Sequence, residues 1–229
     1  MTWRIQEPNA VDLRVGDKTT TAPTTPLGTR VRAADSYFGS GDFILVKAGG
    51  SIALGALVTW DAAFSATECA NTANMARPVG AALQALSAND YAWVQVNGQA
   101  FIKATASVAA GSPFGITGAG TVGASSAGKE IEGAVSVYAS TATVALTAST
   151  VNGSTTLTVP GGARGWFVGG TLSGTGIAGG TTISAISYDE KTVTLSAAAT
   201  ATGTVTVTDT YTGYIVGSLS RPFAQGRIT

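Results

Sequence analysis

The sequence comprises 229 residues, with 13 basic and 13 acidic side chains and a formal net charge of zero. A neutral chain lacks the basic surface that neutralises a phosphate backbone, so we expect no nucleic-acid partner. Histidine is absent and Cys69 is the single cysteine, which removes the usual general base and excludes an intrachain disulfide and a cysteine-based zinc site. We therefore expect no enzymatic activity, no metal and no other cofactor.

The opening of the chain has no apolar stretch like that of a secretory signal peptide. The longest run of bulky apolar residues covers only residues 43–46, far short of the roughly 20 residues that a membrane-spanning helix needs. The sequence accordingly predicts a protein made in the cytoplasm, with no membrane span.

Residues 1–35 show an irregular pattern with three prolines, Pro8, Pro23 and Pro26, and predict an extended N-terminal arm. Two interpretations stay open at this point. The arm is disordered in the free protein, or its alternating apolar residues form a strand that pairs with another chain.

Residues 36–139 consist of short β-like runs separated by Gly, Asn and Asp, which predicts a small all-β sandwich or barrel domain. In a strand over residues 91–96, Ala92, Val94 and Val96 share one face. The following Asn97-Gly98 predicts a type I′ hairpin turn into a strand over residues 99–104. Residues 65–76 are the one segment that we predict as a helix.

Residues 140–210 differ in composition and predict a second β-sandwich-like module. Threonine alternates with aliphatic residues, so that Leu157, Val193 and Val207 face one side and their threonine neighbours the other. Only five charged side chains lie between residues 142 and 210. Because so small a core is marginal by itself, we expect copies of the chain to associate.

Several short motifs admit a chemical and a structural interpretation. Residues 118–123 and 174–179 both match GxGxxG, but no helix follows either, so turns explain them better than dinucleotide binding. Glu130 and Glu132 share a strand face and are interpreted as solvated rather than cation-binding. Cys69 is expected to pack as a small apolar side chain.

Residues 26–33, 41–47, 90–98 and 128–137, in that order, and the closing Arg221-Pro222-Phe223 resemble the head decoration, or cement, proteins of tailed phages. The resemblance covers residues 26–139 and the last dozen. Members of that family are small structural proteins that bind assembled major capsid protein. The resemblance implies a capsid-binding β-domain over residues 36–139, completed by residues 211–229, and a homotrimer on the outer surface of the virion capsid.

The resemblance further implies that the module of residues 140–210 is inserted between the last strands of the decoration-like domain. This inserted module resembles a different recurrent element, found in phage and bacterial surface proteins, through residues 169–177, 180–183 and 192–196. This likeness keeps an alternative open, in which the chain is a fibre or surface adhesin that binds host glycan or protein through residues 142–210. Trp166, Phe167 and Tyr188 are then candidate binding platforms, although Trp166-Phe167-Val168 is more typical of a core.

The function that we expect is a capsid cement protein whose arm and β-domain lie across neighbouring major capsid proteins and hold them together. Several weak contacts become effectively intramolecular once one is made. The residues expected to contact the capsid lie in the arm: Trp3, Arg4, Ile5, Leu13, Arg14, Arg30 and Arg32.

Overall fold

The computed structural model describes residues 4–5, 12–35, 38–105, 108–138, 141–187 and 189–226. The protein is all-β, with 53% of its residues in strands and no helix in the described part of the chain. The strands, in chain order, are β1 (Arg4–Ile5), β2 (Lys18–Thr19), β3 (Arg30–Asp35), β4 (Gly39–Ala48), β5 (Leu57–Trp60), β6 (Ser65–Glu68), β7 (Arg77–Ala82), β8 (Tyr91–Lys103), β9 (Pro113–Gly118), β10 (Thr121–Ala124), β11 (Glu130–Ser136), β12 (Thr141–Thr150), β13 (Thr156–Thr158), β14 (Thr171–Gly174), β15 (Ile183–Ile186), β16 (Thr192–Leu195), β17 (Gly203–Thr212) and β18 (Tyr214–Ala224).

The described chain divides into two compact units. The smaller unit is Ala142–Thr212, and the larger unit contains the chain up to Thr141 and again from Gly213. The larger unit holds a twelve-stranded sheet and the smaller unit a six-stranded sheet.

Five strands of the larger unit form a closed ring of pairings, in the order β4, β6, β5, β7, β8 and back to β4. The β4–β6 pair is parallel and the others are antiparallel. Side chains such as Val46, Val58 and Val94 point into this ring and are buried. Closure gives each of these strands a partner on both sides, which removes free sheet edges over most of their length.

Strand β8 continues through Asn97-Gly98, so the predicted hairpin turn is wrong. Its first half pairs with β4 and its second half pairs with β18. The register with β4 shifts between Asp42 and Phe43, and Gly98 has φ +90°. The conformational freedom of the Asn-Gly pair is therefore used for a bend within one strand, because each half has a different partner to reach.

The second half of β8 belongs to a further group of strands with β18, β11, β9 and β10. An isolated bridge between Ala104 and Val122 links the end of β8 to β10. Phe114, Ile131 and Leu219 are buried in the core of this group. The larger unit thus has two neighbouring apolar cores that share β8.

The helix predicted over residues 65–76 is also wrong. Ser65–Glu68 is strand β6, which pairs with β5 and, at Ser65 and Ala66, with β4. Asp61 accepts hydrogen bonds from the backbone N–H groups of Ala63 and Ser65, both 2.9 Å long. These bonds close a tight loop between β5 and β6. Residues 65–68 form a strand because β4 and β5 pair with them on either side, which outweighs a weak helical preference.

The sheet of the smaller unit has the order β14-β17-β12-β13-β16-β15, and a bridge between Thr171 and Thr182 joins its two ends. The predicted alternation is confirmed, since Leu157 and Val193 are buried and Thr156 and Thr194 are exposed. Trp166 fills the centre of this core.

The glycine motifs lie in turns, as the sequence predicts. Residues 118–123 span the β9–β10 connection, and residues 174–179 run from the end of β14 into the following turn. None of the described residues forms a helix long and apolar enough to cross a membrane.

Candidate functional site

The predicted capsid-contact residues begin at the edge of the large sheet. Trp3 lies outside the described residues. Arg4 and Ile5 form β1, in register with Ala34 and Ala33 of β3. Because β1 covers only two of the six residues of β3, the backbone at Arg30–Arg32 has no strand on its outer side among the described residues. We call the outer side of β3, together with β1, the β3 edge.

Residues 12–35 are part of the larger unit. Leu13 is only 8% exposed and Val15 is buried as well, and the carbonyl oxygen of Leu13 accepts a 2.8 Å hydrogen bond from the Trp93 indole N–H. The Leu13 side chain is thus buried within the chain itself, and its contact with a partner stays a prediction. Its alternation with Val15 reflects burial in the chain's own core.

The carboxylate of Asp12 closes a loop over residues 12–25. Asp12 accepts hydrogen bonds from the backbone N–H and the hydroxyl of Thr24, at 2.6 and 2.8 Å, and also from Thr25. These hydrogen bonds, the one from the Thr25 hydroxyl foremost, hold the pKa of Asp12 well below its usual range. Residues 12–25 are thereby fixed as a loop on the larger unit.

Lys18 anchors β2 through its side chain. Its ammonium group lies 3.0 Å from the Asp90 carboxylate and donates a 3.0 Å hydrogen bond to the carbonyl of Ala85. The Ser87 backbone N–H and then Lys18 lower the pKa of the buried Asp90 carboxyl. The charged pair thus fixes this part of the predicted arm next to Tyr91, the first residue of β8.

Three arginines of the segment are exposed. Arg30 and Arg32 point outward from β3, while Val31 and Ala33 between and beside them are buried. Arg32 lies 3.2 Å from the Asp42 carboxylate on β4, whereas Arg30 has no ion pair among the described residues. Arg14 is exposed in the loop before β2. Within the described residues, the β3 edge therefore combines backbone groups that have no strand partner with positive charge.

The sheet also brings together Arg77-Pro78 and the segment after Arg221-Pro222, which lie far apart in the sequence. Phe223 lies opposite Pro78 on β7 and opposite Glu132 on β11, and its side chain is 38% exposed. A bulge at Gly133, with φ +72°, faces the segment at Arg221 and shifts the register there. This contact between distant segments could be found only from the sheet topology, because nothing in either segment specifies the other.

The environments of Glu130, Glu132 and Cys69 point to structural rather than chemical roles. Glu130 is half-buried and accepts a 3.0 Å hydrogen bond from Ser125, whereas Glu132 is exposed. Cys69 is fully buried, and burial raises the pKa of its thiol to about 12. The described residues contain no group of three or more Cys, Asp or Glu that could hold a metal ion.

Asp209 of the smaller unit is a buried carboxylate that sequence reasoning missed. It is 0% exposed on β17, and neither carboxylate oxygen has a hydrogen-bond partner among the described residues. Burial raises its pKa to about 7, and the backbone N–H groups of Phe167 and Thr210 oppose this shift without forming full hydrogen bonds. Asp209 lies two residues after Val207 on the same strand, so the alternation in the sequence could have predicted that it is buried.

The aromatic platform considered for the inserted module is not exposed. Trp166 is 0% exposed and donates a 3.0 Å hydrogen bond to the Val144 carbonyl, and Phe167 is also buried. Their interpretation as core residues is confirmed, whereas Val168, predicted to lie in the same core, is 46% exposed. Tyr188 lies outside the described residues.

Comparison of the chain with protein-family models, with curated proteins and with solved structures finds no match.

Proposed function

We propose that this protein is a virion structural protein that binds the outside of the major capsid protein lattice as a decoration, or cement, subunit. The observation that supports the proposal best is the β3 edge. Among the described residues, the backbone at Arg30–Arg32 has no strand on its outer side and is available for strand addition, and Arg30 and Arg32 point outward from β3.

An extended segment of the capsid protein would add to this edge through main-chain hydrogen bonds. Arg30 would pair with a carboxylate of that segment, since a guanidinium binds carboxylates through two parallel hydrogen bonds. Main-chain hydrogen bonds would supply affinity for many partner sequences. The pairing of Arg30 with a carboxylate would fix the register of the added strand.

The anchored loop supports the same function. Lys18 ties the loop before β3 to Asp90 of the larger unit, and all of β3 pairs with β4. The β3 edge is therefore ordered before binding and loses little entropy when the partner arrives. A homotrimer would present three such edges, and binding at one raises the effective concentration of the others.

Co-sedimentation with undecorated capsids tests the proposal. The chains compared are the full-length protein, a chain lacking residues 1–11, Arg30→Glu, and the control Lys191→Glu in the smaller unit. The deletion stops before Asp12, because removing residues 1–35 would also remove β2 and β3 from the sheet.

We expect saturable binding of the full-length protein and of Lys191→Glu. Arg30→Glu should bind about tenfold more weakly, a loss of about 1.4 kcal/mol, and the loss should shrink at high salt. The shortened chain, which lacks β1, should also bind more weakly. Absence of binding by the full-length protein would overturn the proposed function, whereas equal binding by all four chains would overturn the role of the β3 edge alone.

A further inference from the structure

The smaller unit has a surface groove of about 260 Å³. Leu146 and Thr147 of β12 line one side, and Val159, Pro160 and Arg164 of the turn after β13 line the other. The volume is below the range of roughly 300–1,000 Å³ that is typical of pockets for drug-sized ligands. The groove is therefore suited to one compact group, such as a single sugar ring.

Backbone hydrogen bonds fix the turn that forms the groove. The N–H of Gly162 donates to Val159 at 2.9 Å, and the N–H groups of Val159 and Ala163 donate to the carbonyls of Lys191 and Glu190, each at 2.8 Å. The turn is thus tied to the β15–β16 connection. A groove held in this way is formed before a ligand binds, which lowers the entropic cost of binding.

Arg164 supplies the polar group of the groove. It is exposed and forms no ion pair among the described residues. Apart from Lys191, it is the one basic residue between residues 142 and 210. A guanidinium presents a planar pair of donors that matches the two oxygens of a carboxylate.

The surroundings of Arg164 narrow the class of ligand. The Glu190 carboxylate lies beside Gly162, where it would approach an added Cβ to 3.5 Å, so a negative charge faces the same turn. A dianionic phosphate would be repelled by Glu190 more strongly than a monoanionic carboxylate. A neutral ligand would leave the guanidinium without a charged partner.

We propose that this groove binds an acidic sugar, with the sugar carboxylate on Arg164. The ring hydroxyls would exchange hydrogen bonds with the Thr147 hydroxyl, while the exposed Pro160 and the half-buried Leu146 cover the C–H face of the ring. This proposal is independent of capsid binding and gives the smaller unit a role of its own.

The test is titration of the full-length protein with glucuronic acid, followed by isothermal calorimetry or by chemical shifts. Glucose and inorganic phosphate are titrated in parallel. The variants are Arg164→Gln, Arg164→Lys and the control Lys191→Gln, which removes the other cation of the smaller unit without altering the groove lining. Thermal unfolding of each variant checks that the fold is retained.

We expect saturable binding of glucuronic acid with a Kd on the order of millimolar, as suits one sugar ring with one charged contact. Glucose should bind at least about tenfold more weakly, and Arg164→Gln should lose about tenfold in affinity. Arg164→Lys should retain part of the affinity, and Lys191→Gln should retain all of it.

Three results would each overturn the proposal. The first is no saturable binding of glucuronic acid by the full-length protein, and the second is equal affinity for glucose or tighter binding of phosphate. The third is unchanged binding by a folded Arg164→Gln variant.

Discussion

The indole N–H of Trp93 donates a 2.8 Å hydrogen bond to the carbonyl oxygen of Leu13. The two residues are far apart in the sequence, and both are buried. Their contact joins the N-terminal segment to β8, the strand that both cores of the larger unit share. The bond therefore fixes where the segment leading to β2 and β3 begins.

Trp93→Phe should loosen this segment. The substitution keeps most of the apolar volume but removes the donor, so the buried Leu13 carbonyl loses its partner at a cost of about 1–3 kcal/mol. Denaturant unfolding should show that loss, and hydrogen exchange should rise in residues 12–19. Trp60→Phe is the matched control, because it shortens another tryptophan of the larger unit away from Leu13. Equal exchange in residues 12–19 of the wild type and Trp93→Phe would contradict the anchoring role.

Gly98→Ala should destabilise the larger unit. Gly98 has φ +90°, and an added Cβ would lie 2.5 Å from the carbonyl oxygen of Ser40. Backbone strain of this kind costs about 1–3 kcal/mol, and the collision adds to it, so we expect a loss of at least about 2 kcal/mol in urea unfolding. Gly50→Ala, where an added Cβ meets nothing within 4 Å, should change stability little. A Gly98→Ala chain as stable as Gly50→Ala would show that β8 does not depend on the bend.

Asp209 should make the smaller unit less stable as pH rises. Its folded pKa of about 7 is above the ordinary value of 3.8, so the folded state holds its proton while the unfolded state releases it. Stability from this group is complete below pH 3.8 and is lost as the pH rises towards 7. Asp209→Asn keeps the shape of the neutral acid and should be more stable than the wild type at pH 8, by about 2–4 kcal/mol.

Thermal unfolding between pH 4 and 8 measures the effect of Asp209. The control is Asp189→Asn, because Asp189 is exposed and the Ser187 hydroxyl lowers the pKa of its carboxyl. This control should keep the wild-type decline between pH 4 and 7. The interpretation of Asp209 fails if Asp209→Asn shows the same decline.

Cys69 should be unreactive in the folded protein. The thiolate is the reactive form, and a pKa of about 12 together with complete burial leaves almost none of it accessible at pH 8. An aromatic disulfide reagent should therefore label the chain only after denaturation with guanidinium chloride. Rapid labelling of the native protein would show that β5, β6 and the loop around Cys69 open readily.

Side-chain alternation predicted the strands of the smaller unit because successive side chains of a strand point to opposite faces of its sheet. Leu157 and Val193 lie in the core for that reason, opposite Thr156 and Thr194 on the outer face. The same kind of reasoning failed at Asn97-Gly98. The local preference of that pair permits a reversal and a bend equally, and only the partners on either side, β4 and β18, decide between them.

The candidate site was predictable in part: its charged residues were, but its contacts between distant segments were not. Charge and composition indicated the arginines of β3, and alternation places Arg30 and Arg32 on one face. The burial of Leu13 was not predictable, since it depends on Trp93, a residue that lies on another strand. The groove at Arg164 likewise requires β12 and the turn after β13 to meet, which no local pattern specifies.

The chain enters the smaller unit on β12 and leaves it on β17, and these two strands are neighbours in one sheet. The strands that flank the insertion, β11 and β18, are neighbours as well, with Ser136 opposite Gly217. Excising residues 142–212 therefore requires only a short connection between two adjacent strands. One inserted module can therefore be exchanged for another at this junction, during evolution or by design, without rebuilding the sheet of the larger unit.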